Sequence, residues 1–144
     1  KGIYLSGNGK VENSGAIIVK DKGIGVYFGD DTPTNLDDKK YENKTEATLI
    51  VAENSKGIYL NSKGMAANEG NIYVGYKTDE NGQIINGGVG AIGVQVNNAS
   101  AEFTNKATGN IYYQRSPEQR IFIFKEIQKE SKLIMEKQQM KEIL

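Results

Sequence analysis

The chain of 144 residues contains no cysteine, no histidine, no tryptophan and only two prolines. Those absences exclude whole classes of chemistry. Without cysteine there is neither a disulfide nor a thiolate nucleophile. Without histidine there is no imidazole base, no Ser-His pair and no zinc finger. Charge of one sign is missing as well: 18 Lys and Arg balance 18 Asp and Glu. The basic patch that carries most nucleic-acid affinity therefore has no electrostatic source. No apolar run approaches the ~20 residues that cross a bilayer as a helix, and the first residues show no signal-peptide pattern. The chain does not begin with Met, so it is expected to be an excised piece of something longer.

What is present is unevenly spread. All 17 Gly and all 14 Asn lie at or before Asn110. The stretch from Ser116 to Leu144 has neither and is rich in Lys, Glu, Gln, Ile and Leu. Gly and Asn punctuate turns, whereas the later residues are helix formers. The composition predicts one segment over 1–114 and a different one over 115–144.

Internal repeats organise the first segment. Lys-Gly-Ile-Tyr-Leu occurs at Lys1 to Leu5 and again, unchanged, at Lys56 to Leu60, with looser copies at Gly25 to Phe28 and Gly93 to Val96. A second unit alternates with it: Asn13 to Val19, Asn43 to Val51, Asn68 to Val74 and Asn105 to Tyr113. Repeats of a few tens of residues mean stacked supersecondary units. Within each unit the apolar residues recur with period two and β-branched residues dominate, so each unit is a short strand.

Aligning the rows yields columns. Ile3/Val26/Ile58/Val94 and Leu5/Phe28/Leu60/Val96 are apolar in every row and are expected to face inward, with Tyr4/Tyr27/Tyr59/Gln95 outside. In the second unit Ile17/Leu49/Ile72/Ile111 and Val19/Val51/Val74/Tyr113 form the inward pair, with Ile18/Ile50/Tyr73/Tyr112 outside. A third strand is marked by Val11, Tyr41, Ala66 and Phe103. Three short strands per turn describe an all-β fold, a parallel β-helix of about four coils. The column Asn13/Asn43/Asn68/Asn105 suits left-handed turn backbone and an amide ladder from coil to coil. Two interruptions, from Gly29 to Lys40 and from Tyr76 to Gly90, leave the stack at different corners. Loops on a rigid scaffold are where recognition concentrates.

The tail is expected to be a C-terminal α-helix over 115–144, acting as a cap or linker. Ser116-Pro117-Glu118-Gln119 reads as a helix start, and Ile121 to Phe124 would plug the last coil.

Motifs for chemistry fall short. Gly88 to Gly93 matches the dinucleotide glycine pattern as a string, but a strand column follows where a helix must hold the pyrophosphate. Asp30, Asp31, Asp37 and Asp38 are candidate binding residues in the first loop. A twelve-residue frame from Asp31 to Glu42 places Pro33 at a ligand position and Leu36 where glycine must turn, which excludes an EF-hand and leaves at most a loose calcium site. A paired-carboxylate hydrolase needs two acids projecting from one face, and the outward columns hold Tyr, Ile and Gln. The only arginines, Arg115 and Arg120, lie at the start of the tail. No enzymatic activity, cofactor or metal is expected.

Rows of the form Gly-Ile-Tyr-Leu followed by Asn-x-Gly-x-Ile-x-Val resemble the passenger repeats of the large fusobacterial autotransporter adhesins, over about residues 1–114. The resemblance implies a structural and adhesive segment of a passenger displayed at a bacterial cell surface or outer membrane, or secreted. Its partners would be a host or bacterial surface protein or glycan, together with neighbouring coils of a longer passenger. It implies neither nucleic-acid binding nor a membrane span within this piece. Tyr4, Tyr27 and Tyr59, with the two loops, are the expected contact surfaces. The alternative is a divergent β-helical protein that binds or degrades polysaccharide, and a third reading is a filament segment that associates through its open first coil.

Overall fold

The computed structural model describes residues 1–29 and 35–113 in full, with the backbone of residue 114 and of three strands beyond it. The first coil consists of β1 (Ile3–Leu5), β2 (Gly9–Asn13) and β3 (Ala16–Val19). The second consists of β4 (Ile24–Phe28), β5 (Lys39–Asn43) and β6 (Thr48–Val51). The third consists of β7 (Lys56–Leu60), β8 (Gly64–Asn68) and β9 (Asn71–Val74). A hairpin, β10 (Tyr76–Thr78) and β11 (Ile84–Asn86), then leaves the stack. The fourth coil follows as β12 (Ile92–Val96), β13 (Ala101–Asn105) and β14 (Asn110–Gln114).

Equivalent strands of successive coils pair in parallel and build three sheets, ordered β1-β4-β7-β12 on the first face, β2-β5-β8-β13 on the second and β3-β6-β9-β14 on the third. This is a parallel β-helix solenoid. The aligned columns are its registers: Ile3 lies opposite Val26, Val26 opposite Ile58, and Ile58 opposite Val94. Likewise Val11 pairs with Tyr41, Tyr41 with Ala66, and Ala66 with Phe103.

The inward columns make one continuous core. Val26, Phe28, Leu49, Val51, Ile58, Leu60, Ile72 and Val74 are fully buried. On the second face, small Ala66 separates two large side chains, Tyr41 and Phe103, so bulk alternates from coil to coil and fills the narrow interior. Coils approach closely beside the glycines: a Cβ on Gly57 would lie 2.5 Å from the Gly93 carbonyl oxygen and 2.9 Å from Val51 Cγ2.

The asparagine column is an amide ladder. Asn13 Nδ2 donates to Asn43 Oδ1 (2.9 Å), Asn43 Nδ2 to Asn68 Oδ1 (2.8 Å), and Asn68 Nδ2 to Asn105 Oδ1 (2.8 Å). Asn43, Asn68 and Asn105 are fully buried, and each bond satisfies a group that would otherwise be costly inside.

Three expectations need correction. The first loop ends earlier than expected, since Lys39 and Lys40 belong to β5. Lys39 points inward, fully buried, and its Nζ donates to Ser62 Oγ at 2.9 Å. Two outward-column residues, Ile50 and Gln95, are buried. For Ile50 the cause is the hairpin, whose strand β10 packs across the outside of β6 and β3.

The third correction concerns the expected C-terminal α-helix over 115–144. Where that backbone is described it is strand: β15 (Phe122–Glu126), β16 (Lys132–Met135) and β17 (Met140–Ile143). These pair in parallel with β12, β13 and β14 and add a fifth row to each sheet. The physical reason is the template. A finished coil presents three rows of unpaired N–H and C=O groups, and pairing them outweighs the few tenths of a kcal/mol per residue that separate good from poor helix formers. The Ile-Phe-Ile-Phe run is also a strand former. The supposed helix start at Ser116 to Gln119, with Arg115 and Arg120, lies outside the described residues.

Candidate functional site

The first face carries the expected tyrosines. Tyr4, Tyr27 and Tyr59 occupy one register column on β1, β4 and β7. Their rings follow one another at 5.4 and 5.3 Å between centroids; Tyr4 and Tyr27 are stacked at 15°, and Tyr59 is tilted by 59°. Two ammonium groups lie over the rings, Lys1 Nζ at 4.1 Å from the Tyr27 centroid and Lys56 Nζ at 4.3 Å from that of Tyr59. A short amide row borders them: Asn97 Nδ2 donates to Asn61 Oδ1 (2.8 Å), and Asn61 Nδ2 donates to the Tyr27 hydroxyl (3.1 Å). Burial, and secondarily the neighbouring Tyr27, push the Tyr59 hydroxyl above its ordinary pKa. Tyr4 is the most open of the three, at 52% exposed. Stacking closes the faces that Tyr4 and Tyr27 share, so the strip offers ring edges, hydroxyls and amides. Such a surface sets apolar ring edges beside hydrogen-bonding groups.

The second face is charged and carries ion pairs. Lys40 bonds Glu42 at 3.0 Å, and Lys44 bonds Glu69 at 3.2 Å. The Lys40 hydrogen bond holds the Glu42 carboxyl below its ordinary range, and the Glu69 carboxylate raises Lys44.

The aspartates of the first loop divide. Asp30 and Asp31 lie outside the described residues. Asp37 and Asp38 sit in a 3-10 turn, Leu36–Asp38, and Asp38 Oδ2 accepts a hydrogen bond from the Asn35 amide at 2.9 Å. One of the oxygens offered to a cation therefore caps the turn. Among the described residues no group of three or more acidic side chains is placed to hold a metal ion.

A fourth place was not visible in the sequence. The hairpin stands against the corners of the first two coils and leaves a groove of about 830 Å³. Its floor includes Ile18 and Ala52, one wall is the corner residues Lys20 to Lys22 with Glu53 and Asn54, and the other is Lys77, Asp79 and Ile85. Asp21, Lys22 and Asn54 hold left-handed backbone there, a conformation uncommon outside glycine. The hairpin is kept rigid at its tip, where Asp79 Oδ1 accepts from the amides of Asn81 and Gln83. The loop from Tyr76 to Gly90 could be marked from sequence as a recognition segment. That it reaches back to Ile18, almost 60 residues earlier, depends on the tertiary fold.

No family model matches the chain, and no curated protein or solved structure matches it either. Its class therefore rests on its own geometry: a parallel β-helix with a tyrosine strip on its first face and a groove beneath its hairpin. Among the described residues no helix is long and apolar enough to cross a membrane.

Proposed function

We propose that the chain is an adhesive segment of a surface-displayed solenoid of the autotransporter-passenger kind, and that the first face makes the contact. The ligand class is a glycan or protein on a host or bacterial surface. The observation that carries the reading is the strip formed by Tyr4, Tyr27 and Tyr59 with Asn61 and Asn97. Its tyrosines span three coils and Asn97 adds the fourth, and the strip combines apolar ring edges with hydrogen-bonding groups, as surfaces that hold sugars or polypeptide do. The core and the amide ladder keep that strip flat and fixed, which lowers the ordering cost of binding.

The test is attachment of the purified chain to glycan arrays and to fixed cells, comparing the natural sequence with Tyr4→Ser/Tyr59→Ser. These two rings end the stack, so their loss leaves Tyr27 and the core in place. Binding is expected to fall at least about tenfold, as when central aromatic anchors are truncated, with Tm changed little. Undiminished attachment by the double variant would remove the strip from the account. Release of new reducing ends from a bound polysaccharide would replace adhesion with the degradative reading.

A further inference from the structure

The hairpin groove stands apart from the tyrosine strip and is built differently. It lies at the corner between the third and first faces. The first two coils turn that corner through residues 20–23 and 52–55, and the third turns it through the hairpin, which folds back over the two corners before it. Backbone bonds pin the hairpin base there: the Glu53 amide donates to Gly87 O at 2.8 Å and the Asn54 amide to Val89 O at 2.9 Å. Coils stack along the axis, whereas this corner faces sideways. Both walls are therefore made by corners and a hairpin within the chain, not by an end of the stack.

Exposed apolar side chains concentrate at this place. Of the large hydrophobic residues exposed among the described ones, Ile18, Ile84, Ile85 and Val89 lie in the groove or along the insertion 76–90, and Tyr4 alone lies elsewhere. The charges divide by sign. Glu53 is laid against the hairpin backbone, so that a Cβ on Gly88 would lie 2.5 Å from its Oε2. Asp79 Oδ1 is taken by the amides of Asn81 and Gln83. Lys20, Lys22 and Lys77 have no such engagement. Among the described residues none of the three joins an ion pair or a side-chain hydrogen bond, in contrast to Lys40 and Lys44 on the second face. Only Asp21 stands between two of them. The groove thus offers ammonium groups from both walls over an apolar floor.

We propose that this groove binds an acidic polypeptide segment in extended form. Its aliphatic side chains would rest on Ile18, Ala52 and Ile85, and its carboxylates would meet Lys20, Lys22 and Lys77. An extended chain sends alternate side chains toward the floor and away from it, and the long lysine side chains at the rims reach the second set. The volume of about 830 Å³ holds a few residues of such a chain and falls among ligand pockets of ~300–1,000 Å³. The lining includes no aromatic ring on which a sugar could lie, whereas Ile and Ala gain from covering by aliphatic groups. Groove and tyrosine strip are separate surfaces, so either assignment can fail alone.

The experiment is fluorescence anisotropy on the full chain, with a dye-labelled peptide alternating Glu and Val as the probe. This peptide is expected to bind, and to bind more weakly as salt is raised; the same peptide with Lys in place of Glu is expected not to bind. Lys22→Glu/Lys77→Glu reverses one charge on each wall. Both side chains are exposed, so Tm should stay near that of the natural chain, while like charges brought together weaken binding at least about tenfold. Tyr4→Ser/Tyr59→Ser should leave this binding unchanged. No binding, equal binding by the natural and charge-reversed chains, or equal binding of the Lys peptide overturns the proposal. Tighter binding of a heparin oligosaccharide, lost in the same variant, gives the groove to an anionic glycan and overturns it too. Hydrogen–deuterium exchange locates the peptide without any substitution: slower exchange is expected in residues 18–22, 52–54 and 77–87, and protection confined to other segments overturns the assignment.

Discussion

The amide ladder gives the sharpest test of the energetics. Asn68 is fully buried at its centre. It accepts from Asn43 Nδ2 at 2.8 Å and donates to Asn105 Oδ1 at 2.8 Å and to the Gly70 carbonyl at 3.1 Å. Replacing it by Leu keeps the volume but strands groups on both sides. Asn43 Nδ2 is left with longer contacts to Asn71 O (3.3 Å) and Ala47 O (3.5 Å), and Asn105 Oδ1 loses its bond from Asn68. Each buried group left without a partner costs about 1–3 kcal/mol, and the added apolar burial offsets roughly 1 kcal/mol. The expected loss is about 2–4 kcal/mol. Asn13→Leu removes only the last rung, at the half-exposed end, and is expected to cost about 1 kcal/mol.

Urea unfolding followed by circular dichroism reads both, provided the slope is unchanged, so that midpoint shifts are stability shifts. Equal losses at Asn13 and Asn68, or a loss below 1 kcal/mol at Asn68, would refute the view that ladder continuity in the interior is what stabilises. Asn68→Asp sharpens the test. A carboxylate there still accepts from Asn43, but it faces two acceptors, Asn105 Oδ1 and Gly70 O. Its pKa must rise above the unfolded value of about 3.9. Below that pH both states hold the proton, and the acid can donate to Asn105, so the variant should approach the natural chain. As pH rises, the unfolded state ionises first and stability falls by about 1.4 kcal/mol per unit up to the folded-state pKa. A pH-independent penalty would contradict this geometry.

Two glycines should respond in opposite directions. Gly57→Ala forces a Cβ against backbone and core and is expected to cost about 1–3 kcal/mol or more, whereas Gly15, with nothing within 4 Å of its Cβ position and no positive φ, should accept Ala with a gain of about 0.4–1 kcal/mol; thermal melts of the two variants check both. Alkaline stability should depend on Tyr41, whose fully buried hydroxyl is pushed well above its ordinary pKa by desolvation, partly countered by a hydrogen bond with Asn13. From about pH 10 upward the unfolded chain sheds that proton while the native state keeps it, so stability falls by roughly 1.4 kcal/mol per unit. Tyr41→Phe should flatten the fall between pH 10 and 12, as read by urea midpoints at each pH, and an unchanged slope would remove Tyr41 as its source.

Much of this fold was legible because a solenoid repeats one environment. Val26, Ile58 and Val94 stack on one another, so aligning the chain with itself compares residues that touch, and a column that never admits a polar side chain marks an interior. Asn13, Asn43, Asn68 and Asn105 were legible for the same reason. The exceptions arise where the environment does not repeat. Ile50 shares a column with exposed Ile18 yet is buried, because the hairpin crosses the second coil on its way past the first. The groove beneath that hairpin brings Ile18 and Ile85 together without any periodic signal. The tyrosine strip was readable as a column, but only the structure shows that stacking closes the faces between Tyr4 and Tyr27.

The tail failed for a different reason. Its residues continue the columns only in part: Phe124 stands opposite Val94, Leu133 opposite Phe103 and Met140 opposite Ile111, but Glu126 stands opposite Val96, Glu142 opposite Tyr113 and Met135 opposite Asn105. The glycines and asparagines that anchor a self-alignment are missing there, and composition alone favours helix. Composition, however, describes an isolated segment, and the residues after Gln114 are not isolated. They follow a coil whose three strands offer parallel edges at fixed spacing, and strand addition at such an edge is driven by backbone groups common to every sequence. A helix would leave the edges of β12, β13 and β14 unpaired and still have to cover Phe103 and Ile111. The fifth row pairs even though Met135 stands in the asparagine column, so backbone edges, more than side-chain columns, decide that these residues are strand.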